Sequence, residues 1–469
     1  MNVQLMARAR KSALVRRLTD FFYSPWYITA VGFAVLLCYT FRLDALGYAL
    51  IASAAVFSCL FCDDATPLLP LLVATPFVQS MEWRENARVH RTVDLVAMGV
   101  CGAVVAIALL YHLLVYGGYK RIFRRGRLGI ACIVLAVGWA LSGFFCPGYR
   151  IGFFAAVLQQ IAFFSVIYFV LRGAVRWNKN SITYLAFAFA VMGLVMSCTL
   201  AETYLSYKPF IESGFKNKRF LVTGWGMSNM IGPAILQTVP LTFYLAYKEE
   251  KHGWLFYLAA VLQCICTVFT YCRASALAGA AVFVACAALV CVKAKCRKQM
   301  WVSTVFVIAL IAAAFLWKET KEMLDCYLES GMRDNGRFPL WRFGISLFNE
   351  YPVFGVGFHR VKVTEFSYLL HNTVVQLMAA SGAVGTLAYG YYRAQTLRLY
   401  TRRITAERVF LGITLLAIII MSLFDNSIFR ISIQAYMLPV LVFSERDLDY
   451  AVWFADCPRL GTRKPLFLR

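Results

Sequence analysis

A histidine and an asparagine stand side by side at the start of an apolar stretch, as His371 and Asn372 in "YLLHNTVVQLMAASGAVG", residues 368–385. The residues that follow are typical of a membrane helix, so His371 is predicted to open that helix. The positive end of the helix dipole favours neutral imidazole there, and neutral imidazole is the form that accepts a proton. Asn372 can cap the same helix. His371 is therefore the candidate general base, with Asn372 as a secondary site residue.

Basic residues lie in three further stretches. They are Lys218 and Arg219 in "NKRFLVTGWGMSN", Arg273 in "TYCRASALAG", and Arg333 and Arg337 in "RDNGRFPLW". A guanidinium group matches phosphate oxygens with charge-assisted hydrogen bonds, each worth about 1.5–3 kcal/mol. Several arginines on one face of a membrane therefore predict a phosphorylated ligand.

Arg273 lies between two apolar segments, where a charged side chain is costly. One interpretation is an interfacial arginine that extends its charge back to water. The other is an anion ligand at the mouth of a cavity, because the residues after it, "ASALAG", are small enough to let a bulky group approach. The sequence leaves both interpretations open.

The sequence contains no motif typical of a metal site or of redox chemistry. A divalent cation on pyrophosphate needs clustered carboxylates, and the predicted outer segments contain no Asp-x-Asp pattern. Glu319, Glu322, Asp325 and Glu329 are spaced as a solvated helix face. Most of the fifteen cysteines lie in apolar runs and act as small hydrophobic residues. We predict no metal, no cofactor and no disulfide framework.

Long apolar segments recur along the whole chain and must position these residues. Of 469 residues, 61% are hydrophobic and only 15% are charged, and the mean hydropathy is +0.65. The sequence therefore predicts an all-α polytopic membrane protein with about 12–14 transmembrane helices. The fourteen candidate spans are 26–41, 45–62, 66–80, 93–116, 128–146, 151–171, 181–201, 226–247, 253–272, 274–292, 300–317, 372–392, 409–424 and 429–443. The third and the last are short for a span.

Lysine and arginine are distributed unequally between the two sides that these spans define. With the N-terminus inside and the helices alternating, the inner segments include both tails, "YKRIFRRGR", "RGAVRWNK", "KAKCRK" and "RAQTLRLYTRR". They carry most of the net charge of +23, as the positive-inside rule expects. The basicity thus predicts anionic lipids of the inner leaflet as partners and argues against nucleic acid.

Two predicted outer loops are long, 202–225 and 318–371. On the outer side they would carry the candidate site residues, with both termini in the cytoplasm. The chain then divides into membrane helices at 1–201, a catalytic region at 202–392, and membrane helices with a cytoplasmic tail at 393–469.

The second outer loop has helical segments of its own. Apolar residues recur with helical spacing in "ETKEMLDCYLES" and in "FPLWRFGISLFNE". In the latter, Phe338, Trp341, Ile345 and Phe348 share one face. Turn-forming residues follow in "YPVFGVGF". We expect this loop to lie on the membrane surface as a small cap.

Four stretches, in this order, resemble the bacterial O-antigen ligase and O-antigen polymerase family. The first is Arg219 with Gly224 and Asn229, and the second is Cys272-Arg273-Ala274, where the family has serine in place of cysteine. The third is Arg-x-x-x-Trp followed by Pro-x-x-Gly-x-Gly. The fourth, His371-Asn372 followed by Gly-x-x-Gly, is the most specific. The third and fourth stretches comprise Arg337, Trp341, Pro352, Gly355, Gly357, His371, Asn372, Gly382 and Gly385.

The resemblance implies a metal-independent, inverting glycosyltransferase with the GT-C-like fold of lipid-donor enzymes, in a bacterial cytoplasmic membrane. The donor would be a glycan on polyprenyl pyrophosphate, and the acceptor another glycolipid (ligase) or the next lipid-linked repeat (polymerase). It implies that Arg219, Arg273 and Arg337 bind the pyrophosphate, with Lys218 and Arg333 as weaker candidates. His371 would be the catalytic base.

Two other functions fit parts of the pattern. A lipid-linked oligosaccharide flippase or other transporter would suit many spans, but it would place charge along an inner cavity rather than in loops at one face. A dolichyl-phosphate-type glycosyltransferase or a cell-wall glycan polymerase would depend on an outer carboxylate. Asp44 is the only acid in the first predicted outer loop, and it has no acidic partner there.

Overall fold

The computed structural model describes residues 13–79, 82–84, 87–89, 92–122, 126–147, 149, 151–176, 180–206, 221–224, 226–294, 296–315, 337–358, 370–401 and 404–453. Most of these residues are helical, which confirms the predicted all-α fold. The α-helices are α1 Ala13–Phe22, α2 Pro25–Thr40, α3 Asp44–Phe61, α4 Leu68–Ala74, α5 Thr92–Val115, α6 Tyr119–Ile122, α7 Arg127–Phe144, α8 Ile151–Ile161, α9 Ile167–Ala174, α10 Ser181–Ser206, α11 Ser228–Lys248, α12 Gly253–Phe269, α13 Arg273–Lys293, α14 Arg297–Phe315, α15 Arg337–Glu350, α16 Thr373–Thr401, α17 Ala406–Ser422 and α18 Ile431–Trp453.

Short strands and turns connect some of these helices. β1 (Glu82–Arg84) pairs antiparallel with β2 (Ala87–Val89), with Glu82 opposite Val89, and β3 (Val222–Thr223) pairs antiparallel with β4 (Gly226–Met227). A π-helical turn joins α8 to α9 into one continuous rod.

A helix lies at each of the fourteen predicted spans, and in the described part of the chain seven are both long and apolar enough to cross a membrane. There are eight if α1 and α2, bent by 70° at their junction, form one span. The seven are Asp44–Phe61, Leu95–Val115, Arg127–Phe144, Phe154–Ala174, Ser181–Leu205, Ser228–Lys248 and Arg273–Val292. The chain is therefore a multi-pass membrane protein, and the count of 12–14 spans stays a prediction.

Side-chain bonds gather the helix ends into two faces. The first, which we call the His371 face, joins the ends of α2, α10 and α12 to β3. Tyr39 Oη lies 3.4 Å from Thr203 Oγ1 and donates to Val222 O, and Tyr204 Oη donates to Phe269 O at 2.5 Å.

The second, the Arg172 face, joins the ends of α3, α5 and α9. Tyr116 Oη donates to Leu60 O at 2.8 Å, and Ala65 N donates to Ala174 O at 3.2 Å. Arg121 Nη2 donates to Gly173 O at 2.7 Å on the same face. The predicted inner segments around residues 121 and 174 thus meet at one end of the molecule.

The third predicted span, 66–80, contains a helix of only seven residues followed by the 3-10 turn Thr75–Phe77, so it is shorter than a membrane-crossing helix. The segment nonetheless runs between the two faces. At its start Tyr23 Oη donates to Asp64 O at 2.7 Å on the Arg172 face. At its end Tyr48, in the first turns of α3, donates to Gln79 Oε1 at 3.3 Å. The segment therefore links the two faces without a full helix, and the predicted alternation of sides stays a prediction.

The core lies where α11 packs against α10, α12 and α17. Because lipid offers no hydrogen bonds, polar groups inside must bond within the protein. Gln263 of α12 does so: its Oε1 accepts from Thr238 and Thr242 at 3.1 Å each, and its Nε2 donates to Ala190 O at 3.1 Å. These bonds tie α10, α11 and α12 together.

Helix α16 is not the single regular span that the sequence predicts, because it breaks at Gly382, whose φ is +59° and ψ −160°. The break accommodates the segment 352–357. Val356 N donates to Ala379 O at 2.9 Å, and Ala383 N donates back to Pro352 O at 2.8 Å. A Cβ on Gly382 would lie 2.4 Å from Val353 O, so only glycine fits.

The docking of segment 352–357 into the break of α16 explains why glycines occur in the Pro-x-x-Gly-x-Gly stretch. Gly355 has φ +69°, and a Cβ there would lie 2.6 Å from Ala379 O. Gly385, by contrast, permits close helix packing: α16 lies against α7, and a Cβ on Gly385 would lie 3.1 Å from Trp139 Cδ1 of α7.

Helix α15 forms where "FPLWRFGISLFNE" predicts it, but it packs through a different face. Of the predicted face, Phe338 and Ile345 are 60% and 44% exposed, while Trp341 and Phe348 are half-buried. Leu340, Phe343 and Leu347 pack instead against Leu370, Val356, Ala379 and Ala380. The reason is Gly344, which has no side chain, so that Leu370 and Val375 approach this face closely. The other predicted loop helix, at 319–330, lies outside the described residues.

Candidate active site

A small cleft lies on the His371 face. It brings together residues that are distant in sequence, including two of the predicted arginines. Its lining residues are Asn229, Tyr271, Cys272, Arg273, Ala274, Arg337, Phe424 and Asp425. Arg273 and Arg337 are 64 positions apart in the chain, yet they line the same cleft.

Helix N-termini place these side chains. Arg273 is the first residue of α13, Arg337 is the first of α15, and Asn229 is the second of α11. None of these helices has an acidic residue in its first turn. The N–H groups and the positive dipole ends of three helices therefore add to the two guanidinium groups, which makes the cleft suited to an anion.

A histidine–carboxylate pair lies beside the arginines. His371 Nδ1 lies 3.1 Å from Asp425 Oδ1, with the histidine side chain 32% exposed and the aspartate 15%. Asp425 itself lines the cleft, while His371 reaches it through this bond. Because an ionised carboxylate only accepts hydrogen bonds, Nδ1 must carry the proton. The other ring nitrogen, Nε2, is then the one that can accept a proton.

The surroundings of Asp425 keep its carboxylate ionised. Burial alone would raise its pKa, but the hydrogen bond and charge of His371, the N–H of Asn426 and the charge of Arg430 together outweigh burial and hold that pKa below its ordinary value. A carboxylate with a lowered pKa is a weak base. Asp425 is therefore suited to orient His371 rather than to take a proton from a substrate itself.

The backbone at the cleft is strained. His371 has φ +50° and Tyr271 has φ +54°, the left-handed region that side chains other than glycine seldom adopt. Such conformations cost about 1–3 kcal/mol each and persist only where the surroundings enforce them. Both residues lie next to a helix start at the cleft, one before α13 and one before α16.

Asn372 caps α16 as the sequence predicts. Its Oδ1 accepts from Val374 N at 2.9 Å and from Val375 N at 3.1 Å. Its Nδ2 also donates to Leu423 O at 2.9 Å. The cap therefore ties the His371 segment to the loop that carries Asp425.

The structure places four predicted residues together, namely Arg273, Arg337, His371 and Asn372. Lys218, Arg219 and Arg333 lie outside the described residues, so their predicted roles stay predictions. In the part of the chain that the structure describes, no three His, Cys, Asp or Glu side chains are grouped as metal ligands.

Sequence reasoning missed Asp425 and Asn426. One signal was available: Asp425 follows the predicted span 409–424 directly, and it is the only acid in the short loop before the last span, which the sequence predicts on the outer side. A lone acid at that position has no motif around it. It became meaningful only when α16 and α17 placed it beside His371.

Comparison with known proteins gives one finding. The O-antigen ligase family model matches residues 258–390, which confirms the predicted resemblance to the O-antigen ligase and polymerase family over that region. The matched region contains Arg273, Arg337 and His371, and it supports an enzyme of polysaccharide biosynthesis. No curated protein matches the chain.

Proposed function

From the likeness of residues 258–390 to the O-antigen ligase family, we propose that this protein transfers a glycan from a polyprenyl-pyrophosphate donor to an acceptor hydroxyl at the outer face of the cytoplasmic membrane. The observation that supports this most is the cleft itself. Two arginines at helix N-termini face the same small space as a carboxylate paired with histidine.

The arginines suit the leaving group. When the bond between the sugar's anomeric carbon and the pyrophosphate oxygen breaks, negative charge grows on that oxygen. Arg273, Arg337 and the helix N-termini would stabilise this charge, which lowers the barrier because the interaction is strongest in the transition state. In this proposal Arg219 contributes in the same way, with Lys218 and Arg333 as secondary candidates.

The histidine suits the acceptor. His371 Nε2 would take the proton from the acceptor hydroxyl as its oxygen bonds to the anomeric carbon, and Asp425 would stabilise the imidazolium that results. A single displacement of this kind inverts the anomeric configuration. No step needs a metal ion.

Transfer between purified components tests the proposal. The protein, in lipid nanodiscs with a metal chelator, receives lipid-linked glycan extracted from the cell that makes it, or the same glycan on polyprenyl monophosphate. We expect transfer from the pyrophosphate donor only. Use of a glycolipid acceptor would indicate a ligase, and use of a second lipid-linked repeat a polymerase.

Two outcomes would contradict the proposal. Folded protein that transfers no glycan to either acceptor would refute glycosyl transfer. Movement of intact donor between leaflets, with no bond made or broken, would support the alternative of a lipid-linked oligosaccharide flippase.

A further inference from the structure

Gln376 lies in the first turn of α16 and is only 4% exposed. Its side-chain oxygen accepts two hydrogen bonds, from Leu370 N at 3.0 Å and from Asn426 Nδ2 at 3.2 Å. Leu370 directly precedes His371, and Asn426 directly follows Asp425. One buried atom therefore holds the neighbours of both partners in the histidine–carboxylate pair.

A further bond joins the same two segments, because Thr373 Oγ1 donates to Asp425 O at 3.3 Å. Within the Asp425 segment, Asn426 N donates to Asp425 Oδ1 at 2.7 Å. Since His371 has a left-handed backbone, its position needs such enforcement on both sides. Gln376 supplies a buried part of it, where water does not compete for its oxygen.

The same glutamine is connected to the helix that carries Arg337. Leu370 is fully buried and packs on α15 at Gly344, where a Cβ would lie 2.6 Å from Leu370 Cδ1. A hydrogen bond that fixes the backbone of Leu370 therefore also fixes the surface on which α15 packs. A substitution at Gln376 should therefore displace both His371 and Arg337, although Gln376 is not among the residues that line the cleft.

We propose that Gln376 is a positioning residue for the transfer reaction, one that holds His371 against Asp425 by accepting hydrogen bonds from the residues beside each of them. The assignment rests on the proposed function for its kinetic consequence, but its geometric consequence does not depend on that function. No motif singled out this residue; only its two contacts do.

Kinetics with matched variants test the proposal. Gln376→Met keeps the side-chain length and removes the acceptor, and Gln376→Glu restores an oxygen at the same place. We expect Gln376→Met to lower kcat about 10–100-fold with KM changed less than about twofold, since small displacements of a catalytic group are costly. Gln376→Glu should recover most of kcat.

Gln263→Met is the control. Gln263 is fully buried and has three side-chain hydrogen bonds in the core, away from the cleft. The control should lose stability, yet the kcat of its folded fraction should stay within about twofold of wild type. An equal fall of kcat in Gln263→Met and Gln376→Met would reduce Gln376 to a structural role and overturn the proposal.

A second measurement works without turnover. Diethyl pyrocarbonate acylates unprotonated imidazole, and mass spectrometry reads its rate at His371. We expect modification several times faster in Gln376→Met than in wild type, and an unchanged rate in Gln263→Met. If wild type shows no transfer but these rates differ as expected, the proposed function fails and the positioning role stands. Wild-type rates and wild-type kcat in Gln376→Met would refute the positioning role alone.

Discussion

Two pairs of a carboxylate and a basic side chain lie at opposite faces of the molecule, and they differ in how far water reaches them. On the Arg172 face, Arg172 Nη1 lies 3.6 Å from Glu445 Oε2, with side chains 1% and 4% exposed. On the His371 face, His371 and Asp425 are 32% and 15% exposed. The first pair is closed, and the second opens to a cleft.

The closed pair is surrounded by protein donors. Glu445 accepts from Leu128 N at 3.0 Å and from the Tyr168 hydroxyl. It therefore joins α7, α9 and α18, and nothing the size of a substrate can reach it. The open pair has a strained histidine backbone and two arginines nearby. The difference shows that a carboxylate paired with a basic side chain can hold a fold or support chemistry, depending on access and on what else faces the pair.

The largest expected effect belongs to the open pair. His371→Ala should lower glycan transfer by about 10²–10⁴-fold, the usual contribution of a general base, while the protein remains inserted and folded. Transfer per folded molecule and the unfolding temperature in detergent are the measurements. Retention of a substantial rate would remove His371 from the mechanism.

Disrupting the closed pair should lower stability and leave the transfer rate nearly unchanged. Glu445→Gln keeps the shape but breaks the buried ion pair with Arg172, and breaking a buried pair costs about 3–5 kcal/mol. We expect a clear fall in the unfolding temperature with the transfer rate of the folded fraction within about twofold of wild type. If the rate fell while stability held, the two pairs would not differ as described.

A smaller effect separates two arginines of one helix. Arg337 lines the cleft, whereas Arg342, on the same helix α15, is exposed and does not. Arg337→Ala should lower kcat/KM about 10–100-fold through lost charge-assisted bonds, and Arg342→Ala less than about twofold. Equal losses in both variants would mean that general basicity matters, not the cleft.

The smallest effect is a pH dependence of stability. The lowered pKa of Asp425 means that its ionised form stabilises the fold, fully so above the ordinary carboxyl value of 3.8 and progressively less as the pH falls through the lowered pKa. Asp425→Asn should thus be less stable than wild type at pH 7, with the gap narrowing below about pH 4. Unfolding temperatures across this range provide the check, and a gap that widens in acid would contradict it.

The sequence predicted the cleft's charges better than its geometry. Arg273, Arg337 and His371 were recognisable because a charge beside an apolar run is costly and because they lie in a family motif. Asp425 and Gln376 were not, since a lone acid after one helix and a glutamine inside another acquire meaning only when α16 and α17 meet.

The fold shows the same limit. Apolar runs correctly predicted a helix at every span, because backbone groups in lipid must form their hydrogen bonds within the protein, as a helix allows. They did not predict the break at Gly382, which depends on the segment 352–357 docking into α16. Nor did they predict the packed face of α15, which Gly344 selects by its lack of a side chain.

Binding of the leaving product tests the central claim most directly, because it separates the arginines from the histidine. Polyprenyl pyrophosphate and polyprenyl monophosphate are titrated against purified wild type, His371→Ala, and the double variant Arg273→Ala/Arg337→Ala. We expect preference for pyrophosphate, unchanged binding in His371→Ala, and an affinity at least about tenfold weaker in the double variant. Wild-type affinity in the double variant would contradict the central claim.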